Sequence, residues 1–413
     1  MVTDRLIVPR IREALADTPV VVVNGARQVG KSTLTAELLQ LAGSVEIVSL
    51  DREHSLRAAG QDPRTFVERP VDTLVIDEAQ LEPRLFRAVK ASVDADRRPG
   101  RFVLTGSARL LAVGEMAAAL VGRVEVVELW PFSEVELNAG SVGVVDQMYD
   151  DPRSVVASTP VDRGALAELL VRGGFPEAVA RAPHRRRAWF QSYATTSMTR
   201  VVNQIAAVER SAEIPRLLRL LAARSAEELN VASLASEFRW PARTISAYLA
   251  QLSNAFVLQL LPAWSTNLSS KVVHRPKIHL VDSGLAAALN GVTAEHLVRS
   301  PERFGALLET FVMMELRKQV GWSHQQPTLW HFRDRGGAEV DLVLEYPDGR
   351  IVGVEVKSGA TPSHNDSRGL RLLRDRLGDR FHHGYLVTTA PEAHPIDDRL
   401  SAIPVTALWP VAR

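Results

Sequence analysis

The stretch Gly25-Ala26-Arg27-Gln28-Val29-Gly30-Lys31-Ser32 fits the pattern G-x-x-x-x-G-K-[ST]. A run of four valines, Val20–Val23, precedes it and predicts a strand buried on both faces. The segment that follows, Thr33–Leu41, predicts a helix. Strand, glycine loop and helix in this order are the context that a phosphate-binding loop requires, because loop N–H groups and the helix N-terminus point at the anion.

The loop residues have distinct expected roles in holding a nucleoside triphosphate. Lys31 is expected to contact the β- and γ-phosphates, and Ser32 to offer its hydroxyl to Mg²⁺. The expected nucleotide-binding residues are Gly25, Ala26, Arg27, Gln28, Val29, Gly30, Lys31, Ser32 and Thr33. ATP and Mg²⁺ are therefore the expected cofactors.

A second motif lies about 45 residues further along the chain. The segment Thr73–Ile76 reads as an apolar strand, and Asp77 and Glu78 follow it. Asp77 is expected to hold Mg²⁺, and Glu78 to polarise the attacking water as a general base. These residues predict an ATP-hydrolysing site.

Another strand, Phe102–Thr105, runs into Gly106 and Ser107. In a parallel sheet the carboxyl ends of the strands face the ligand. Thr105 or Ser107 is therefore expected to sense the γ-phosphate or to position the attacking water. The alternative is that Ser107 only caps the next helix.

Five short apolar runs, most of them separated by helix-like stretches, predict an α/β fold with a parallel sheet. Besides Val20–Val23 they are Val45–Leu50, Thr73–Ile76, Phe102–Thr105 and Val124–Leu129. A helix is predicted over residues 1–20. Three domains are expected: a P-loop domain over 1–140, a helical region over 141–300 and an α/β domain over 301–413.

Composition excludes several classes of protein. The 413 residues include no cysteine, which excludes disulfide scaffolds, zinc–thiolate sites and iron–sulfur clusters. The net charge of +1 excludes a uniformly basic nucleic-acid coat, but it leaves room for a local basic patch. No apolar run is long enough for a membrane span, and no secretion signal is recognisable, so a cytoplasmic location is expected.

The middle region predicts a DNA-binding unit. A short helix (Val231–Phe238), a break and a second helix from Arg243 precede strand-like segments, which is the order of a winged helix-turn-helix. Residues 215–282 carry eight Lys and Arg against four acids. The expected DNA contacts are Arg239, Arg243, Thr244, Ser246, Lys271, Arg275 and Lys277. A role as a protein–protein spacer is the alternative.

A third chemical signal lies in the C-terminal domain. Glu339–Leu344 and Ile351–Lys357 flank the turn Pro347-Asp348-Gly349 and predict a hairpin. Glu355 and Lys357 share one face, and antiparallel pairing is expected to bring Asp341 close to them. Glu309, on a preceding helix, is expected to add an oxygen ligand for Mg²⁺ or Mn²⁺.

This constellation resembles the PD-(D/E)xK nuclease superfamily. The resemblance implies that Asp341, Glu355 and Glu309 bind metal and that Lys357 assists the attacking water. The proline that often precedes the first acid is absent, since Glu339-Val340 stands before Asp341. The alternative is a surface hairpin with an ion pair between Glu355 and Lys357.

The segments GARQVGKST, LVIDEAQ, FVLTGSARLL and LVGRVEVVELWPFSEVE resemble AAA+ ATPases, in particular a bacterial and archaeal family with a C-terminal domain of unknown function. The segment LLVRGGFPEAV extends the resemblance beyond the P-loop domain. The resemblance implies a homo-oligomer, with a ring as the expected form, and an arginine that reaches a nucleotide, for which Arg123 is the candidate.

Three functions are compatible with these signals. The first is an ATPase that binds and remodels DNA and carries a nuclease-like domain, acting on duplexes, forks or junctions. The second is an ATP-driven DNA translocase or branch-migration motor with an inactive nuclease fold. The third is a nucleotide-regulated switch or interaction protein without DNA activity.

Overall fold

The four consecutive valines lie in the first of five parallel strands. The strands are β1 (Val20–Gly25), β2 (Val45–Ser49), β3 (Thr73–Asp77), β4 (Phe102–Gly106) and β5 (Val124–Leu129). They pair in the order β2-β3-β4-β1-β5, all in parallel. Every residue of β1 is buried, because the strand has a neighbour on each edge. The predicted parallel α/β sheet is thus confirmed.

Helices of the same N-terminal unit pack around this sheet. They are α1 (Val8–Asp17), α2 (Lys31–Leu38), α3 (Glu53–Gln61), α4 (Pro63–Val67) and α5 (Leu85–Ala95). Val20 and Val22 of β1 share one apolar core with Phe86 and Val89 of α5. Helix α1 is shorter than the 20 residues expected, since Pro9 stands in its first turn.

The computed structural model describes residues 3–38, 43–110, 118–140, 143–156, 159–204, 213–265, 275–334 and 336–409. The chain forms two compact units, one of residues 5–131 with 254–256 and the other of residues 1–4, 132–253 and 257–413. Within the described ranges no helix has both the length and the apolar character needed to cross a membrane.

The second unit begins with a helical region. Its helices are α6 (Glu134–Leu137), α7 (Val144–Asp150), α8 (Arg163–Arg172), α9 (Pro176–Val179), α10 (Pro183–Gln204), α11 (Ile214–Ala223), α12 (Val231–Phe238) and α13 (Ala242–Asn254). Two antiparallel strands follow, β6 (Leu258–Leu261) and β7 (Lys277–Leu280). The left-handed backbone at Phe256 (φ 55°) turns the chain between α13 and β6.

A mixed sheet with helices completes the second unit. Its elements are α14 (Ser283–Leu289), α15 (Ala294–Val298), α16 (Pro301–Val320), β8 (Thr328–Arg333), β9 (Glu339–Glu345), β10 (Ile351–Val356), α17 (Arg368–Leu377), β11 (Phe381–Thr388), β12 (His394–Asp397) and β13 (Leu400–Pro404). The strands pair in the order β12-β13-β11-β10-β9-β8. Strands β9 and β10 form the predicted hairpin, with Gly349 at φ 88° in the turn.

The glycine pair Gly173-Gly174 allows two backbone segments of the second unit to approach closely. The N–H of Phe132 donates to the carbonyl oxygen of Gly174 at 2.8 Å. A Cβ atom at Gly174 would lie 2.1 Å from the carbonyl oxygen of Phe132, a distance that real Cβ atoms do not adopt. Only glycine therefore fits at residue 174.

We expect Gly174→Ala to destabilise the protein by about 2–3 kcal/mol, because the backbone must shift to relieve the clash. Gly359→Ala is the matched control, since nothing lies within 4 Å of a Cβ at that position. Thermal unfolding of both variants checks the expectation. Equal melting temperatures for the two variants would contradict it.

Candidate functional site

The phosphate loop is shaped by two close contacts and two positive φ angles. A Cβ at Gly25 would lie 2.3 Å from the carbonyl oxygen of Leu129 in the neighbouring strand β5, so only glycine fits there. Gln28 and Gly30 have φ angles of 62° and 97°. These angles curl the loop, and backbone curls of this kind can direct N–H groups toward an anion.

Lys31 lies within this loop at the start of α2. Its side chain is buried, and its Nζ donates to the carbonyl oxygens of Gly25 at 3.0 Å and Ala26 at 2.9 Å. Both partners are neutral. The ammonium group is thus held at the loop by bonds that a phosphate oxygen can replace, since hydrogen bonds between two charged groups are stronger than those to neutral carbonyls.

The two acids that follow β3 are each hydrogen-bonded. Asp77 accepts from Thr105 Oγ1 on β4 and from Ser49 Oγ on β2, the latter at 3.4 Å. Thr105 is fully buried. Because β1, β3 and β4 are parallel, their carboxyl ends share one edge of the sheet. This edge also carries the phosphate loop, which follows Gly25 directly.

Glu78 has a left-handed backbone, with φ 56°. Its Oε2 accepts from Ser107 Oγ at 2.9 Å and from Gln80 Nε2. Gln80 Nε2 also donates to Ser107 Oγ at 3.1 Å. Ser107 therefore contacts the candidate base rather than acting only as a helix cap. Gln80 was not among the residues that the sequence analysis singled out.

These residues fit a nucleoside triphosphate with a divalent cation. The curled backbone and Lys31 suit phosphate oxygens, and the exposed Ser32 with the Asp77 carboxylate supplies the hard oxygen ligands that Mg²⁺ prefers. The roles of Lys31, Ser32, Asp77, Glu78 and Thr105 stay predictions, as does nucleotide binding by the individual loop residues.

Arg5 also supports the loop, and no sequence motif marks it. Its buried guanidinium donates to the carbonyl oxygen of Val29 at 2.9 Å and to that of Trp130 at 2.6 Å. The first partner is in the phosphate loop and the second follows β5. Arg5 therefore ties the loop backbone to the end of the adjacent strand.

Arg123 does not lie near the phosphate loop of its own domain. Its carbonyl oxygen accepts from the N–H of Val20, at the opposite end of β1 from Gly25. The intervening strand spans about 16 Å. The Arg123 side chain instead pairs with Asp94 at 2.6 Å. Arg123 therefore lies far from the phosphate loop of its own domain, and the expectation that it reaches a nucleotide, which the resemblance allows to be a neighbouring subunit's, stays a prediction.

The candidate DNA contacts separate into exposed and buried residues. Arg239, Arg243 and Ser246 are exposed and Thr244 is half-buried, around the turn between α12 and α13. Arg275 is exposed, and Lys271 lies outside the described residues. Lys277 is different, because only 2% of its side chain is exposed.

The ammonium group of Lys277 lies among three carboxylates. Its Nζ is 2.8 Å from Glu309 Oε1 on α16, 2.5 Å from Glu339 Oε1 and 2.8 Å from Asp341 Oδ1, both on β9. Burial opposes its charge, but Asp341, Glu309 and Glu339 outweigh burial and hold the pKa of Lys277 well above its usual value. The expectation that Lys277 contacts DNA is wrong.

Asp341, Glu355 and Lys357 come together as the hairpin predicted. Asp341 Oδ2 accepts from the N–H of Val356, and Lys357 Nζ lies 2.5 Å from Glu355 Oε1. Glu355 Oε2 is buried and has no hydrogen-bond partner among the described residues. Burial and the nearby Asp341 raise the pKa of Glu355 well above its usual value. The same two causes, with burial the larger, raise the pKa of Glu309 to about 8.

This cluster does not match the expected metal site. Among the residues that the structure describes, no group of three or more His, Asp or Glu side chains could hold a metal ion. The Lys277 ammonium lies where Glu309 and Asp341 would otherwise share a cation. The expectation that Glu309, Asp341 and Glu355 are metal ligands is therefore not met, because the chain supplies its own positive charge.

The carboxylates around Lys277 line a polar cleft of about 560 Å³. Besides this cluster and Glu355, the charged lining residues are Glu227, Glu228, Arg275, Arg333 and Lys357. Arg333 lies 3.6 Å from Glu228 and 3.9 Å from Glu339. The cleft thus combines positive and negative groups.

We expect Arg5→Ala to weaken nucleotide binding about tenfold, because it removes two hydrogen bonds that fix the phosphate loop. Arg57→Ala is the control, since that side chain is 69% exposed and, among the described residues, its ion pair is with Glu53 of its own helix. Calorimetric titration with ATP measures both affinities. Unchanged affinity in a folded Arg5→Ala variant would contradict the positioning role.

The chain matches three families in sequence. Residues 17–138 match a family described as an AAA domain. Residues 163–296 match a domain of unknown function (DUF8612), and residues 304–408 match another (DUF4143). The predicted AAA resemblance of the P-loop domain is thus confirmed.

Several solved structures are similar in part. The Walker-type ATPase PABY2304 of Pyrococcus abyssi is 15% identical, with a TM-score of 0.41, over 70% of this chain and 96% of that chain. AMPPCP-bound DnaA from Aquifex aeolicus is 12% identical, with a TM-score of 0.29, over 60% of this chain and 86% of that chain.

Two mycobacterial proteins are similar over nearly the whole chain. They are the uncharacterized proteins Rv2008c of Mycobacterium tuberculosis and Mb2031c of Mycobacterium bovis. Each is 31% identical over 400 residues, which cover 96% of this chain and 82% of the relative. The chain therefore belongs to the same family as Rv2008c and carries an AAA domain followed by two domains of unknown function.

Proposed function

We propose that this protein is an ATPase whose hydrolysis responds to DNA, and that its C-terminal domain holds DNA without cutting it. The observation that carries the proposal is the position of Asp77 and Glu78. Both acids lie at the sheet edge that also bears the phosphate loop, where Thr105 donates to Asp77 and Ser107 donates to Glu78. The AAA domain match supports ATP binding. Hydrolysis and the response to DNA go beyond this match and are the parts of the proposal that the experiments below test.

The hydrolytic step rests on four side chains. Lys31 binds the phosphates, and Ser32 with Asp77 holds the magnesium ion, which supplies charge neutralisation when bound. Glu78 accepts a proton from the attacking water. Ser107 and Gln80 orient the Glu78 carboxylate through its Oε2 atom.

The middle region supplies the DNA contact in this proposal. Helix α12, the turn at Arg239, helix α13 and the pair β6–β7 occur in the order of a winged helix-turn-helix. Ile245, Tyr248 and Leu249 bury one face of α13. Arg243 and Ser246 are exposed near its N-terminus, the part of a recognition helix that contacts bases and phosphates.

The C-terminal domain has a nuclease-like arrangement in this proposal. Helix α16, strands β9 and β10 and the side chains of Asp341, Glu355 and Lys357 support the resemblance to PD-(D/E)xK proteins. The Lys277 ammonium argues against metal-dependent cleavage. A duplex backbone held near Arg275 and Lys357 would therefore remain intact. The proposal therefore favours a protein that moves or remodels DNA with an inactive nuclease fold over one that cleaves it.

We expect Glu78→Gln to lower the rate of ATP hydrolysis about 10²- to 10⁴-fold while ATP still binds, because the amide cannot accept the proton from water. Steady-state hydrolysis is measured with Mg²⁺, alone and with single-stranded, duplex, forked and four-way DNA. Lys31→Ala is the control for loss of nucleotide binding. Slow hydrolysis that no DNA changes would favour the nucleotide switch instead.

We expect the double variant Arg239→Ala/Arg243→Ala to bind DNA more weakly and with a smaller dependence on salt, because two phosphate-neutralising charges are lost. The slope of log affinity against log salt should fall in magnitude by about 2. Arg57→Ala/Arg64→Ala is the control, since it removes the same charge from exposed side chains elsewhere. Equal DNA affinity in both double variants would contradict the proposed interface.

A further inference from the structure

The ammonium group of Lys277 forms ion pairs with three carboxylates. An ammonium group has three donors and no acceptor. Lys277 Nζ donates to Glu309 Oε1 and to Asp341 Oδ1, each at 2.8 Å, and lies 2.5 Å from Glu339 Oε1. The three carboxylates come from two different elements, helix α16 and strand β9, whereas Lys277 belongs to β7. The ammonium therefore joins parts of the fold that are distant in sequence.

The position of this ammonium is the position that a divalent cation would take. Carboxylate oxygens bind Mg²⁺, Mn²⁺ or Ca²⁺ at about 2.0–2.6 Å. The ammonium lies within 2.8 Å of three such oxygens, so it and a metal ion cannot both be present. With its side chain only 2% exposed, Lys277 is enclosed by the protein.

The other charged groups near Lys277 also disfavour a metal ion at this position. Glu355 Oε2 is buried without a hydrogen-bond partner among the described residues, and Lys357 lies against Glu355 Oε1. A second lysine thus faces the remaining carboxylate of the cluster. A metal ion entering here would meet two ammonium groups that repel it.

We propose that Lys277 is a resident cation in the C-terminal domain, and that replacing it with a neutral residue converts the carboxylate cluster into a divalent-cation site. The ligands of that site are Glu309, Glu339 and Asp341. The proposal concerns metal binding in the absence of nucleotide. It therefore stands or falls separately from ATP hydrolysis and DNA binding.

The test measures Mn²⁺ binding by full-length variants without nucleotide. All carry Asp77→Asn, which removes the expected metal ligand of the P-loop domain. Free Mn²⁺ is followed by electron paramagnetic resonance, and the melting temperature is followed with and without Mn²⁺. Lys277→Met is the test variant, Lys277→Arg retains the charge, and Lys357→Met removes a nearby lysine that contacts only Glu355 among these acids.

We expect Lys277→Met to bind one more equivalent of Mn²⁺ than the parent chain and to melt at a higher temperature when Mn²⁺ is added, because a ligand that binds only the folded state stabilises it. Lys277→Arg and Lys357→Met should show neither effect. The addition of Asp341→Asn to Lys277→Met should abolish the extra site.

Two results would overturn the proposal. One is Mn²⁺ binding by the parent chain that Asp341→Asn removes, because the native cluster would then hold metal despite Lys277. The other is a folded Lys277→Met variant without an extra site. If Lys277→Met does not fold without metal, its refolding with added Mn²⁺ decides, because an ion bound by the three carboxylates should restore the folded state. Failure of Mn²⁺ to restore folding, or restoration that persists after Asp341→Asn is added, would equally overturn the proposal.

Discussion

Pairing of strand β1 on both edges is the constraint on which the nucleotide site depends. Strands β4 and β5 bond to it along its length, and a Cβ at Gly25 would meet the carbonyl oxygen of Leu129. Only glycine therefore fits at the last residue of β1, where the strand passes into the phosphate loop. The parallel topology brings the ends of β3 and β4 to the same edge, so Asp77 and Thr105 are hydrogen-bonded although 28 residues separate them. The site is a consequence of strand order.

Lys31 and Lys277 show how the groups around a buried lysine decide what its ammonium group can bind. Lys31 donates to the neutral carbonyl oxygens of Gly25 and Ala26, which an anionic ligand can replace at little cost. Lys277 forms ion pairs with three carboxylates, whose attraction outweighs the burial of its charge. Removal of one partner from such a cluster leaves a buried charge uncompensated. The bonds from Lys31 to the two carbonyl oxygens are therefore ones that a phosphate could replace, whereas the ion pairs of Lys277 hold parts of the fold together.

The sequence predicts those features of the fold and site that depend on local pattern. The loop around Lys31, the strand before Asp77 and the hairpin that joins Asp341 to Glu355 all follow from spacing within a few dozen residues. Lys277 lies 64 residues from Asp341, and Arg5 lies 125 residues from Trp130, so periodicity carries no information about either contact. The distance of Arg123 from the phosphate loop of its own domain could have been predicted, because a residue just before a parallel strand lies at the edge of the sheet opposite the ligand.

Replacing a metal ion by an ammonium group changes what a carboxylate cluster can do to a phosphodiester. A divalent metal lowers the pKa of a bound water and polarises a phosphoryl oxygen. An ammonium group has no open coordination position and carries half the charge, so it activates no water in this way. It does preserve the positive charge that keeps Glu339 and Asp341 close together. Lys277 therefore keeps Glu309, Glu339 and Asp341 together around an internal charge. The DNA-holding role that we propose for this domain requires no metal ion at the cluster, because the ammonium group already supplies the charge that holds these carboxylates in place.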